Sequence, residues 1–194
     1  MNLGSIRVLG ISGSLRKGSY NTAALRAAQE LAPEGMTIET AVIGDLPHYD
    51  DDIRVAGYPP EVARFRAQVA AADAVLFVTP EYNYSIPGVL KNAIDWASRP
   101  PEPAFNDKPV AIMGASGGVI GTARAQYQLR QMLVFLNAHP INKPEVMIGQ
   151  ASTKFDEAGK LTDEPTKQFI RDLLGSLATW TRRLRAPAAA MAAE

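Results

Sequence analysis

Ten consecutive residues, Ser12-Gly-Ser-Leu-Arg-Lys-Gly-Ser-Tyr-Asn21, combine the groups that bind anions. Ser12, Ser14, Ser19 and Asn21 offer hydrogen-bond donors, and Arg16 and Lys17 offer positive charge. Gly13 and Gly18 let backbone N–H groups come close to a ligand. A helical pattern follows, and a helix start favours an anion through its exposed N–H groups and its dipole. A phosphate dianion suits such a site. The plainer alternative is a Ser/Asn-capped turn with solvated basic side chains. The run is not a Walker loop, because no Gly-Lys-Ser/Thr ends it, and it lacks the Gly-x-Gly-x-x-Gly dinucleotide fingerprint.

Two further segments have unusual chemistry. Pro80-Glu-Tyr-Asn-Tyr-Ser-Ile-Pro-Gly88 sets two tyrosines and an asparagine in a proline-bounded turn. A flat heteroaromatic ring needs that combination: apolar or aromatic cover for its face and backbone N–H groups for its polar edge. The alternative is a loop whose tyrosines pack on the core. Ala115-Ser-Gly-Gly-Val-Ile-Gly121 is rich enough in glycine to wrap a ring edge, or simply to turn. Together the three segments suggest a phosphorylated, planar ligand.

Something must bring these segments to one place. Apolar runs alternate with helical patterns along the chain. Ile6–Ile11, Met36–Val42, Ala74–Thr79, Val110–Gly114 and a run near Val146–Ile148 read as strands. Asn21–Leu31, Pro60–Ala71, Pro87–Ser98, Gly121–Leu136 and Pro165–Leu184 read as helices. Alternation of this kind implies parallel pairing with right-handed crossovers. The expected fold is α/β: a flavodoxin-like three-layer sandwich around a five-stranded parallel sheet in the order 2-1-3-4-5. In such a sheet ligands bind beyond the carboxyl ends of the strands, and all three segments leave those ends. Residues 1–185 read as one domain, and 186–194 as an Ala-rich tail without chemistry of its own.

Bulk properties narrow the function. Of 194 residues, 46% are hydrophobic, enough for one domain with a substantial core. Twenty basic residues balance twenty acidic ones with no basic stripe, which argues against nucleic acid. No apolar run approaches the ~20 residues of a membrane span. Met1–Arg7 lacks the basic and apolar regions of a signal peptide, so the cytoplasm is the expected location. Cysteine is absent, which excludes disulfides, thiolate nucleophiles and iron–sulfur clusters. With His48 and His139 the only histidines, no metal site is expected. Any redox work therefore requires an organic cofactor.

The segments resemble the NADPH-dependent FMN reductase family, in particular its quinone/chromate-reductase branch. The likeness lies in Gly13–Asn21, Thr79–Gly88, Leu90-Lys-Asn-Ala-Ile-Asp-Trp96, Gly118–Gly121 and Ala123–Arg130, and extends from about Ile6 to Leu184. It implies that Ser14, Arg16, Ser19 and Asn21 hold the FMN phosphate. Pro80, Glu81, Tyr82, Asn83, Tyr84 and Ser85 would line the isoalloxazine and ribityl groups, and Ser116 and Gly117 would meet the ring from the third loop. The resemblance further implies a homodimer or homotetramer with the flavin near the interface, where Asp50 or Arg124 is placed to approach a neighbouring site.

The activity so implied is transfer of electrons from NADPH or NADH, by a ping-pong mechanism, to quinones, azo or nitro compounds, or metal oxyanions such as chromate. No protein acid or base is required, so no catalytic residue is assigned. Three rivals stand beside it: a flavin reductase that supplies reduced FMN to a partner, an electron-transfer flavodoxin with no substrate of its own, and a regulatory or interaction module that binds a nucleotide without turnover. Elsewhere the plain readings prevail. His48 belongs to a surface or interface loop, His139 is structural, and Asp50-Asp51-Asp52, which could bind a cation, reads as a solvated run in a loop. Lys91 and Asp95 form a helix-surface pair, and Trp96 and Trp180 pack against core or interface.

Overall fold

The computed structural model describes residues 5–185; the tail at 186–194 lies outside the described residues. The chain runs β1 (Ile6–Ser12), α1 (Tyr20–Glu30), β2 (Met36–Thr40), α2 (Asp51–Ala56), α3 (Pro60–Ala71), β3 (Ala74–Val78) and α4 (Gly88–Ala97). It continues through β4 (Pro109–Ala115), α5 (Ala123–Phe135), β5 (His139–Pro140), β6 (Val146–Ile148) and α6 (Glu164–Arg185). The strands pair in parallel in the order β2-β1-β3-β4-β5, and β6 also pairs with β4.

Alternating side chains of the central strands feed two separate cores, which is why those strands are apolar throughout. Val8, Leu76, Val78, Ala111 and Met113 face α1 and α6, where Leu25, Ile170, Leu173, Leu174 and Leu177 are buried. Leu9, Ile11, Val75, Phe77, Val110 and Ile112 face the opposite layer, built from Phe65 of α3, Trp96 of α4 and Leu129 of α5. The buried positions of α6 recur at three- and four-residue spacing, the stripe of a helix lying on a sheet. Helices thus cover both faces, and the loops after β1, β3 and β4 are left at the carboxyl edge.

Three differences from the sequence expectation have physical causes. The fifth position of the sheet is divided: β5 pairs with Pro109 and Val110, and β6 pairs with Met113–Ala115. Pro140 and Pro144 bracket the gap, and proline has no N–H to continue a ladder. Asp50-Asp51-Asp52 opens α2: Asp50 accepts a hydrogen bond from the Asp52 N–H at 2.9 Å. Asp51 receives the Arg54 Nε–H at 2.6 Å and the Tyr49 hydroxyl at 2.7 Å. The Arg54 guanidinium, with Tyr49, holds the Asp51 carboxyl down to about 2. Finally, α4 begins at Gly88, with Pro87 as its N-cap.

Candidate functional site

The loop after β1 is anchored at both ends. Gly13 N–H donates to the Val78 carbonyl at 2.9 Å, and Ser19 caps α1, its hydroxyl oxygen accepting from the Asn21 and Thr22 N–H groups at 3.2 and 3.4 Å. Ser14 is buried, and its hydroxyl oxygen accepts from the Arg16 N–H at 3.4 Å. Among the described residues, neither the Ser14 nor the Ser19 hydroxyl donates to a protein acceptor. Two buried hydroxyl protons at a helix start are therefore uncommitted, and Arg16 and Lys17 stand exposed beside them. The donor set matches a phosphate, which offers only acceptors.

Asn21 has a different task. Its side chain is 3% exposed and bridges 94 positions to the end of β4. Nδ2 donates to the Ala115 carbonyl at 2.9 Å, and Oδ1 accepts from the Ala115 N–H at 2.8 Å. Both polar ends of the amide are used, so the side chain ties the first loop to the third.

The loop after β3 is a tight reversal. Tyr82 and Ser85 exchange N–H···O bonds of 2.9 and 3.0 Å around Asn83 and Tyr84. Both central residues are left-handed, with φ of 51° and 66°. This is the type I′ geometry, tolerated by asparagine but costing about 1 kcal/mol or more for a tyrosine. Among the described residues the N–H groups of Asn83 and Tyr84 donate to nothing in the protein. Pro80 packs against the first loop: a Cβ on Gly13 would stand 3.2 Å from the Pro80 Cδ and from the Thr79 Oγ1. Glu81, its side chain 10% exposed, turns away toward α5 and accepts from the N–H groups of Arg124 and Ala125 at 3.0 and 3.1 Å.

The third loop is organised by Ser116, whose hydroxyl donates to the Gly121 carbonyl at 2.6 Å. At the end of β4, Gly114 is hemmed in: a Cβ there would fall 2.1 Å from both the Thr79 carbonyl and the Thr122 Oγ1. Gly117 is the opposite case, since a Cβ there would meet nothing within 4 Å. Space beside Gly117 is open.

The structure thus brings the three loops to one edge and separates the expected site residues by task. Ser14, Arg16 and Ser19 present donors or charge; Tyr82, Asn83, Tyr84 and Ser85 form the turn; Gly117 lies open. Asn21, Glu81 and Ser116 spend their side chains on protein. The loop after β2 also packs against the first loop, a neighbour not foreseen from the residues alone. Its Pro47 carbonyl accepts from Trp96 Nε1 and Asn92 Nδ2, each at 2.8 Å, and Leu15 of the first loop packs on Gly44. His48, in that loop, is exposed. Among the described residues no helix is long and apolar enough to cross a membrane.

Comparison with known proteins shows the family. The pattern of the family described as NADPH-dependent FMN reductase matches residues 6–153. A protein of Pseudomonas aeruginosa named NAD(P)H-dependent FMN reductase is 62% identical over 180 residues, 93% of this chain and 97% of the relative. A quinone reductase of Escherichia coli strain K12 is 44% identical over 183 residues, 93% of this chain and 97% of its own. The solved structure of FerB, a flavoenzyme NAD(P)H:(acceptor) oxidoreductase from Paracoccus denitrificans, superposes with a TM-score of 0.84 at 39% identity. That likeness covers 92% of this chain and 98% of FerB.

Proposed function

The chain belongs to the NADPH-dependent FMN reductase family, and from that premise we propose that its three-loop edge holds FMN and serves the reduction of quinones by NADPH or NADH. It is an FMN-dependent NAD(P)H oxidoreductase, so the electron carrier without a substrate is set aside. The observation that carries the residue assignment is the pair of uncommitted hydroxyl protons on Ser14 and Ser19 at the start of α1.

Ser14, Ser19 and the α1 N-terminus would hold the phosphate, with Arg16 adding charge from solvent. The Asn83 and Tyr84 N–H groups and the open backbone at Gly117 would meet the ring, while Pro80, Tyr82 and Ser85 bound it. FMN held there would supply the two-electron chemistry between the nicotinamide and the acceptor. The protein binds, orients and shields. Exposed Tyr82, Tyr84 and Val119 surround the outer side of the loops and leave a surface that donor and acceptor would use in turn. Such a shared surface admits azo compounds, nitro compounds and oxyanions such as chromate as well as quinones.

Two results follow from a shared surface. NADPH added without oxygen to the FMN-loaded protein bleaches the flavin absorbance. Initial rates at varied NADPH and quinone then give parallel double-reciprocal lines; intersecting lines would show both substrates bound together and defeat the scheme.

We place the enzyme in the cytoplasm as a homodimer or homotetramer. An outward stripe on α5, Tyr127, Val134 and Phe135, is exposed, Phe135 to 83%. Large apolar groups clustered on one helix face mark an interface more often than a solvated surface. Light scattering should give at least twice the chain mass of 20.9 kDa, and Phe135→Glu should reduce it. A wild-type monomer would contradict this assignment.

A further inference from the structure

We propose that Glu81 and Arg124 are positioning residues: Glu81 holds Arg124, and Arg124 holds Tyr84 in its left-handed conformation, so the pair shapes the turn without touching the cofactor.

Helix α5 begins without a cap of its own. Its N-cap, Thr122, makes no side-chain cap bond, and its first turn has no acidic residue. The missing acceptor comes from 43 positions away. One Glu81 oxygen, Oε2, accepts the Arg124 and Ala125 N–H groups, and the other, Oε1, accepts Arg124 Nη1 at 3.0 Å. A carboxylate at a helix start is favoured by the dipole as well as by these bonds. The guanidinium so fixed lies over the Tyr84 ring, with its central carbon 3.9 Å from the ring centroid. An arginine face on a tyrosine ring is attracted by the ring quadrupole.

The contact addresses the least favourable backbone in the site. Tyr84, at φ 66°, follows Asn83 at φ 51°, and tyrosine is disfavoured there. Tyr84 is 62% exposed, so burial in the core does not hold it. The ring is held instead by Arg124, and Arg124 by Glu81. The same turn carries the N–H groups without protein acceptors. A clip that fixes Tyr84 therefore fixes those donors, and the loops after β3 and β4 move as one body.

The inference rests on the FMN reading only for its last readout, so the first is made on full-length protein free of FMN. Amide hydrogen exchange is followed at Tyr82 and Ser85, the two cross-turn bonds, and at Arg124 and Ala125. Arg124→Ala should speed exchange at Tyr82 and Ser85 about tenfold while the melting temperature stays nearly unchanged. Arg124→Lys keeps a cation beside the ring and should recover part of the protection. Glu81→Gln should speed exchange at all four amides. The double variant Glu81→Gln/Arg124→Ala should exchange at Tyr82 and Ser85 no faster than Arg124→Ala alone, because Glu81 acts through Arg124. With FMN added, Arg124→Ala should bind about tenfold more weakly and Arg124→Lys should lie between. If Arg124→Ala does not fold, Tyr84→Leu, which removes the ring and leaves the Glu81 bonds, should show the same loosened turn. Unchanged exchange at Tyr82 and Ser85 in Arg124→Ala or Tyr84→Leu would overturn the clip, as would a Glu81→Gln effect that adds in full to that of Arg124→Ala. A protein that shows the exchange pattern but ignores FMN would keep the clip and remove the flavin reading.

Discussion

Asn21→Asp is expected to lower the unfolding free energy by about 3 kcal/mol, a large share of the roughly 5–15 kcal/mol that stabilises a natural domain. The substitution changes one atom group and no volume. One carboxylate oxygen still accepts the Ala115 N–H, but the other replaces Nδ2 and faces the Ala115 carbonyl at 2.9 Å without a hydrogen between them. Burial leaves no water to relieve the pair, so the site charges for desolvation and for repulsion together. For a chain of this size the melting temperature should fall by about 6–12 °C. Protonation restores a donor toward Ala115, so burial raises the folded-state carboxyl above its unfolded value. The deficit is then fully present above the folded value and shrinks as pH falls through it. FMN binding should weaken in parallel, because the first and third loops lose their tie. A melting temperature within about 2 °C of wild type at neutral pH would show that the bridge contributes little.

Gly117→Leu should do the reverse: spare the fold and remove the cofactor. A side chain at this position enters space that the protein leaves open, so the melting temperature should stay within about 2 °C. If the ring edge lies there, leucine takes its place, and FMN affinity should fall at least about a hundredfold, equal to ~2.7 kcal/mol. Gly114 provides the contrast, three residues earlier, where even a methyl group would collide with the Thr79 carbonyl and damage the fold itself. A Gly117→Leu protein that binds FMN normally would move the ring away from the third loop.

The sequence made the strands of the sheet legible because their apolar runs are bounded by turns, and Pro60–Ala71 falls on the observed α3. The three loops were legible for a related reason: serine, glycine and paired tyrosines are unusual just after apolar strands. What stayed hidden was how side chains are spent. Nothing near Asn21 announces Ala115, and a donor-bearing residue in an anion-binding run reads as a ligand contact until its partners are known. Glu81 was hidden likewise, although α5 carries a faint signal in lacking an acidic first turn. Asp50–Asp52 is exposed, as expected of a solvated run, but it opens a helix instead of lying in a loop; acidic residues just ahead of Ile53-Arg-Val also describe a helix start. The divided fifth strand was readable from Pro140 and Pro144, which cannot both continue a ladder.

The most direct test is an equilibrium titration of FMN and riboflavin, side by side, into wild-type and Gly117→Leu protein. The two ligands share a ring and differ in the phosphate. Binding by the turn that opens α1 requires wild-type protein to prefer FMN by at least about a hundredfold, with both ligands weakened in Gly117→Leu. Equal affinity for riboflavin and FMN would contradict a phosphate held by Ser14, Ser19 and the first turn of α1.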